Sequence, residues 1–380
     1  MHMKRTIFVL GMVSLALALA GCGGHEFWAK PNPGSNSGNN PTGAVPKFAF
    51  AADFNNGAAG SVSAYTVDNS SGALTAVAGS PFAADTGTIA VGADSGGKFV
   101  FAANQGGGVS AFTVNRTSGV LTEVTNSPFT TGTTPAWVAV DPSARFVYVV
   151  NRGSNDVSGY TVNSSGALTA FSATVALAGK DKPVRATVDP TGRFLYVALG
   201  ATGTAVFKIN QTDGTLTATD TVSPAPCAAS DDMALDPNSK FLFIADGASA
   251  VCAYAVNAST GDLTLIANPS AASSGFPAGT NPVAVAVGAN GKFLFAANQG
   301  SSNLSGFSIN ADGTLTAMSG SPFSTGSTPV DVTVDPSGSF VYTANFGNNT
   351  LSVFTISSST LKGPSTATAG TNPNSVVTTQ

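Results

Sequence analysis

The chain repeats itself, and that repetition limits its fold more than any other feature. The segment Pro329–Asn345, PVDVTVDPSGSFVYTAN, alternates apolar residues over Val330–Val334, turns at Asp335-Pro336-Ser337-Gly338, and alternates again over Phe340–Ala344. Period-two alternation on both sides of a turn is the pattern of two antiparallel strands. Asp ahead of Pro suits the start of a tight turn, and Gly supplies a positive φ at little cost. The unit returns as AWVAVDPSARFVYVVN from Ala136, VRATVDPTGRFLYVAL from Val184, DDMALDPNSKFLFIAD from Asp231 and VAVAVGANGKFLFAAN from Val283. One such hairpin cannot bury its own apolar faces, so the units must pack on one another.

Aligned on the aromatic residue after each turn, the units start at Phe48, Phe99, Phe146, Phe194, Phe241, Phe293 and Phe340, with spacings of 51, 47, 48, 47, 52 and 47 residues. A third alternating run follows, as in Val109–Val114, Val157–Val162 and Leu351–Ile356. A short fourth run comes next, as in Leu121–Val124, Leu168–Ala170 and Leu315–Ala317. A Ser-Pro-Phe loop then leads onward at Ser80–Phe82, Ser127–Phe129 and Ser321–Phe323. Four strands per unit at this period predict a β-propeller. The first unit begins at Lys47-Phe48, on what is elsewhere the second strand, and Pro373–Thr378 is a lone copy of the inner strand. The predicted fold is therefore an all-β, seven-bladed propeller of four-stranded antiparallel blades. The C-terminal strand completes the first blade and closes the ring, which removes an open edge.

Repeats of the form P-x-x-V-x-V-D-P-S-G-x-F-V-Y-x-A-N followed by V-S-x-Y-T-V resemble the seven-bladed lactonase-like propellers. That group includes propeller-type 6-phosphogluconolactonases, fungal carboxymuconate cyclases and YVTN-repeat surface proteins. The resemblance covers residues 47–379. It is specific for architecture and weak for activity, since one fold hosts many functions.

Before the repeats lie two segments of different character. Lys4-Arg5 precede an apolar run, Ile7–Ala20, that ends in Leu19-Ala20-Gly21-Cys22. This has the layout of an export signal, and its end resembles the lipobox of bacterial lipoproteins, which implies acylation of Cys22. Gly23 after that Cys implies, by the same resemblance, the outer membrane of a cell envelope. Residues 23–46 are rich in Gly, Asn, Pro and Ser and cannot bury enough apolar surface to offset their chain entropy. The expected organisation is a signal peptide over 1–21, a lipidated Cys and tether over 22–46, and a monomeric propeller over 47–380. Charged residues make up only 9% of the chain and the net charge is −4. With no Lys/Arg run beyond the N-terminus, nucleic acid is excluded as a partner, because phosphate binding needs a basic face.

Functional residues in a propeller gather where inner strands begin and second strands end. Nine residues before each marker Phe stand Ala90, Trp137, Arg185, Asp232, Ala284 and Asp331, with Ser375 in the closing strand. The second strands end in Asp53, Asn104, Asn151, Leu199, Asp246, Asn298 and Asn345. Arg185, Asp232 and Asp331 are the candidate catalytic residues. Together with Trp137, Asn104, Asn151, Asn298 and Asn345 they form the candidate ligand-binding set at the channel mouth. Lactone hydrolysis needs an activated water and a group that stabilises the developing oxyanion. The enzymes that this chain resembles draw on His, Glu and Arg. Here the only His residues are His2 and His25, and the only Glu residues are Glu26 and Glu123.

Two expectations follow. A binding or interaction module, engaging an envelope protein or a small ligand, should show Arg185 paired with the Asp residues or the channel plugged by Trp137. A lactone hydrolase with a reduced site should show an open polar pocket around Arg185. No cofactor or metal is expected. The Asp-Pro acids Asp141, Asp189, Asp236 and Asp335 are spread around the ring at turn positions, where they cannot converge on one ion. With Cys22 taken by lipid, Cys227 and Cys252 remain and are expected to form a disulfide in an exported chain.

Overall fold

The computed structural model describes residues 48–177, 182–223, 230–269 and 275–379. The expected signal peptide, Cys22 with its expected lipidation, the expected tether and Cys227 lie outside the described residues. Seven antiparallel sheets form seven blades, each with its inner strand paired to the second, the second to the third and the third to the fourth. In blade 1 the order is Leu74–Ala76, Ala59–Val67, Phe48–Asp53 and finally Pro373–Thr379, the closing strand. That strand runs antiparallel to the strand the chain started on, pairing Phe50 with Val377 and Ala51 with Val376. The ring has no open seam.

The turn acids explain why Asp recurs. Asp189 Oδ1 accepts the N–H groups of Arg193 and Phe194 at 2.6 and 2.7 Å. Asp236 Oδ1 does the same for Lys240 and Phe241, both at 2.6 Å. Each acid accepts backbone N–H groups of its own turn, which is the local reason for Asp at this position. Gly192 and Gly338 hold the positive-φ position of the turn, and Ala144 and Ser239 hold it in blades 3 and 5 at a φ of 54°.

Blades join through one contact used again and again. A Cβ placed on Gly72, Gly119, Gly166, Gly214, Gly261 or Gly313 would lie 2.5–2.8 Å from a ring carbon of Phe340, Phe48, Phe99, Phe146, Phe194 or Phe241. Each glycine sits in the turn between third and fourth strands, and each ring belongs to the blade before it. The six φ values run from +73° to +86°. Only glycine meets both demands, a left-handed backbone and no side chain. Hydroxyls add to this in three blades, where Tyr148, Tyr196 and Tyr342 donate to the carbonyls of Gly214, Gly261 and Gly72 at 2.7, 3.2 and 3.0 Å. Phe50, Phe101, Phe243 and Phe295 hold the equivalent position elsewhere. Blade 7 turns tightly at Ser357–Thr360 with Ser358 at a φ of 56°, and no described glycine packs on Phe293.

The Ser-Pro-Phe loops do more than connect blades. Ser80, Ser127 and Ser321 accept the third-strand N–H groups of Ala64, Ala111 and Gly306 through their hydroxyl oxygens at 2.8, 3.0 and 3.0 Å. They bridge a gap on the third strand between the short fourth strand and the following residues, which pair with that strand again, as Phe323 does with Leu304.

Candidate functional site

The inner strands bring seven equivalent positions to the channel axis. Ala90, Trp137, Arg185, Asp232, Ala284, Asp331 and Ser375 pair with Ala103, Val150, Ala198, Ala245, Ala297, Ala344 and Ala52 on their second strands. In every blade except the fourth, a one-residue bulge lies immediately before this position. Bulges re-aim the side chains beside them.

Four of the seven side chains meet. Arg185 is fully buried, and its Nη1 lies 3.1 Å from Asp232 Oδ1 on the next blade and 3.5 Å from Asp331 Oδ1 three blades on. Its guanidinium also stands 4.2 Å from the ring centroid of buried Trp137 on the preceding blade, a cation–π stack in a desolvated setting. The guanidinium thus spans the axis. The second oxygens of the two acids are engaged as well. Asp232 Oδ2 accepts the N–H of Val285 at 2.8 Å, and Asp331 Oδ2 accepts the N–H of Val376 at 2.9 Å. Ser375 Oγ accepts the N–H of Val91 at 3.3 Å. The free edge of an inner strand has no neighbouring strand to pair with, so acceptors from the preceding blade satisfy these donors.

Burial lowers the pKa of the Arg185 guanidinium, while the charges of Asp232, Asp331 and Asp231 oppose that shift. Asp231 is the member that sequence reasoning missed. It occupies the bulge position of blade 5, where the other bulged blades carry Ile89, Ala136, Val283, Val330 and Asn374, and blade 4, without a bulge, carries Val184. The signal was the Asp231-Asp232 doublet at the start of an inner strand. Three donors in the cluster, Arg185 Nε, Arg185 Nη2 and Trp137 Nε1, are buried without a hydrogen-bond acceptor from the protein.

The four asparagines are not part of this cluster. All are fully buried, and their amide nitrogens donate within their own blades. Asn104 Nδ2 reaches Ser110 at 3.0 Å, and Asn151 Nδ2 reaches Asp156 at 2.6 Å and Ser158 at 2.9 Å. Asn298 Nδ2 reaches Asn303 at 2.7 Å and Ser305 at 2.9 Å, and Asn345 Nδ2 reaches Thr350 at 3.1 Å and Ser352 at 2.8 Å. Each one ties the end of the second strand to the start of the third. Glu123 lies exposed on the outer strand of blade 2. Among the described residues, no group of three or more His, Cys, Asp or Glu side chains is placed to hold a metal ion. Cys252, buried in the third strand of blade 5, is disulfide-bonded.

Comparison with known proteins agrees with this architecture. The family model described as lactonase, 7-bladed beta-propeller, matches residues 48–378. Solved structures superpose over most of the chain. One is a candidate 6-phosphogluconolactonase of Bacteroides fragilis, at 18% identity and a TM-score of 0.73, covering 90% of this chain and 100% of that one. Another, from Bacteroides uniformis and described in the same way, has 19% identity and a TM-score of 0.71 over 87% and 99%. The periplasmic gluconolactonase of Pseudomonas aeruginosa has 20% identity and a TM-score of 0.64 over 87% and 98%. At these identities the superpositions speak for the fold alone. No curated protein sequence matches.

Proposed function

We propose that this chain, which belongs to the seven-bladed lactonase propeller family, is a cell-envelope protein that hydrolyses a small lactone at a reduced site on the channel axis. One observation carries the reading: Arg185 Nε, Arg185 Nη2 and Trp137 Nε1 are buried donors with no acceptor from the protein, beside two carboxylates. Buried donors without a protein acceptor are suited to a carbonyl oxygen that becomes an oxyanion. In the proposed step, water attacks the lactone carbonyl and Asp232 or Asp331 takes its proton. Arg185 holds the developing oxyanion. The ring C–O bond then breaks, and the proton passes to the departing alkoxide, leaving a hydroxy acid.

A second reading has its own support. Arg185 is fully buried and paired with both acids, which is the arrangement expected of a non-catalytic interaction module. Lipid anchoring at Cys22 and an envelope location belong to both readings.

The test is hydrolysis of a panel of lactones, including a phosphorylated sugar lactone, by wild type and Arg185→Lys. The lysine keeps the charge and loses the donor fork. Turnover by wild type that falls at least tenfold in a folded Arg185→Lys variant supports the hydrolase. Wild-type rates equal to buffer overturn it. Thermal shifts with the same lactones and their open hydroxy acids then test binding alone.

A further inference from the structure

Blade 1 departs from its siblings at the seam where the ring closes. At the end of the second strand, blades 2, 3, 6 and 7 carry Asn and blade 4 carries Leu199, whereas blades 1 and 5 carry acids, Asp53 and Asp246. Asp246 Oδ1 accepts the N–H of Ala248 at 3.4 Å in its own loop, and blade 1 is the one that sets its acid against the closing strand. In blades 3, 6 and 7 the third-strand serine accepts from the Asn amide and also from a loop glycine, Gly132, Gly279 or Gly326, at 3.2–3.3 Å. Blade 1 inverts this arrangement. Ser63 and Ser61 donate to Asp53 Oδ2 at 2.7 and 3.1 Å, and the Gly370 N–H bonds to the carboxyl itself. Gly370 is pressed so close that a Cβ there would lie 2.3 Å from Asp53 Cγ. Asp53 is fully buried, and its Oδ1 makes no hydrogen bond.

The closing strand differs in the same direction. Blade 6 offers Pro282–Val287, PVAVAV, whereas the closing strand is Pro373–Thr379, PNSVVTT; both are buried throughout. Asn374 Oδ1 and Nδ2, Thr378 Oγ1 and Thr379 Oγ1 are buried without hydrogen bonds. Unpaired buried polar groups weaken an interface relative to apolar packing.

We propose that the junction of Phe48–Asp53 with the closing strand is a proton-sensitive latch, held more tightly when Asp53 is protonated and loosened when it ionises. A protonated Asp53 is neutral and can donate, as the asparagines of the sibling blades do. An ionised one is a buried charge without a cation. The carboxyl faces Ser61, Ser63 and Tyr65 from the third strand and Gly370 from the entering loop. Among the described residues no Lys, Arg or His acts on it. Tyr65, the one titratable group coupled to it, is raised by burial and stays neutral; its hydroxyl donates to the Thr368 carbonyl of blade 7 at 3.1 Å, across the same seam. Burial pushes the Asp53 carboxyl up to about 6 from 3.8, against the hydrogen bonds from Ser63 and Ser61. The native seam therefore binds a proton more tightly than the open one, and its stability is lost as pH rises from about 4 through about 6. The latch also reaches the channel, because Val376 of the closing strand donates to Asp331 and Ser375 accepts from Val91.

Hydrogen exchange of the full chain at pH 4.5 and 7.5, corrected for intrinsic rates, tests this without any assumption about activity. In wild type, protection of residues 373–379 should fall between the two pH values by about 25-fold relative to residues 282–287, which is the part of the shift that lies between pH 4.5 and 7.5. Asp53→Asn should abolish that relative fall. Parallel behaviour of the two strands in wild type, or an unchanged fall in Asp53→Asn, overturns the proposal. Should Asp53→Asn not fold, Ser63→Ala decides instead. Removing that donor should move the midpoint upward, and an unmoved midpoint overturns the latch.

Discussion

The rim of this propeller and its axis obey opposite rules. At the rim, six junctions use the same pair, a marker Phe lying on a left-handed glycine of the next blade. At the axis, seven positions of equal register hold Ala, Trp, Arg, Asp, Ala, Asp and Ser. Each of these six contacts joins two neighbours that look alike from blade to blade, so the same steric demand selects the same residues. At the axis, side chains from all seven blades share one space, and only their sum has to fit. Residues there are free to differ, and difference is what a recognition site requires. Similarity between blades therefore marks architecture, and departure from it marks the places to look for function.

Breaking the axis should cost most. Arg185→Met leaves Asp231, Asp232 and Asp331 as buried acids without their cation, and should lower the unfolding free energy by about 3–5 kcal/mol in a urea titration. Adding Asp232→Asn and Asp331→Asn to that variant should recover most of the loss. If the single change costs under about 1 kcal/mol, the axis is not held as a charged cluster.

The rim comes next. Gly214→Ala combines a φ of +78° with a Cβ 2.5 Å from Phe146 and 2.6 Å from Phe171, and should cost about 2–4 kcal/mol. Gly291→Ala has a similar φ of +67°, but its nearest neighbour is Pro237 Cδ at 3.4 Å. It should cost only about 1 kcal/mol. Equal losses in the two variants would mean that backbone strain, rather than the Phe contact, fixes the rim glycines. The smallest effect belongs to Tyr342→Phe, which deletes a 3.0 Å hydrogen bond to the Gly72 carbonyl. It restores the residue that four blades already carry, and should cost about 0.5–1.5 kcal/mol by thermal or urea unfolding.

Much of the cluster at the axis was legible before any coordinates. Counting back from the marker Phe placed Arg185, Asp232, Asp331 and Trp137 at one level, because strand length and turn type repeat from blade to blade. The role of the asparagines was not legible. A position at the end of a strand next to a bulge can turn toward the channel or into its own blade, and the one-residue register shift that decides this leaves no mark in composition. Asp231 was overlooked for a related reason, since a bulge brings two consecutive residues to the same functional region, against the alternation rule.

The sequence by itself determined the seven blades, the antiparallel order within each, and the closure of the ring by its last strand. These follow from local periodicity and turn chemistry, which each repeat displays, and from the number and order of the repeats along the chain. Only the tertiary structure decided that Arg185 reaches Asp331 three blades away, that Asn345 serves its own third strand, and that Asp53 is buried without a cation. Each of those depends on distances between residues far apart in the chain. Such distances exist only once the ring has closed and water has been excluded from its axis and its seam.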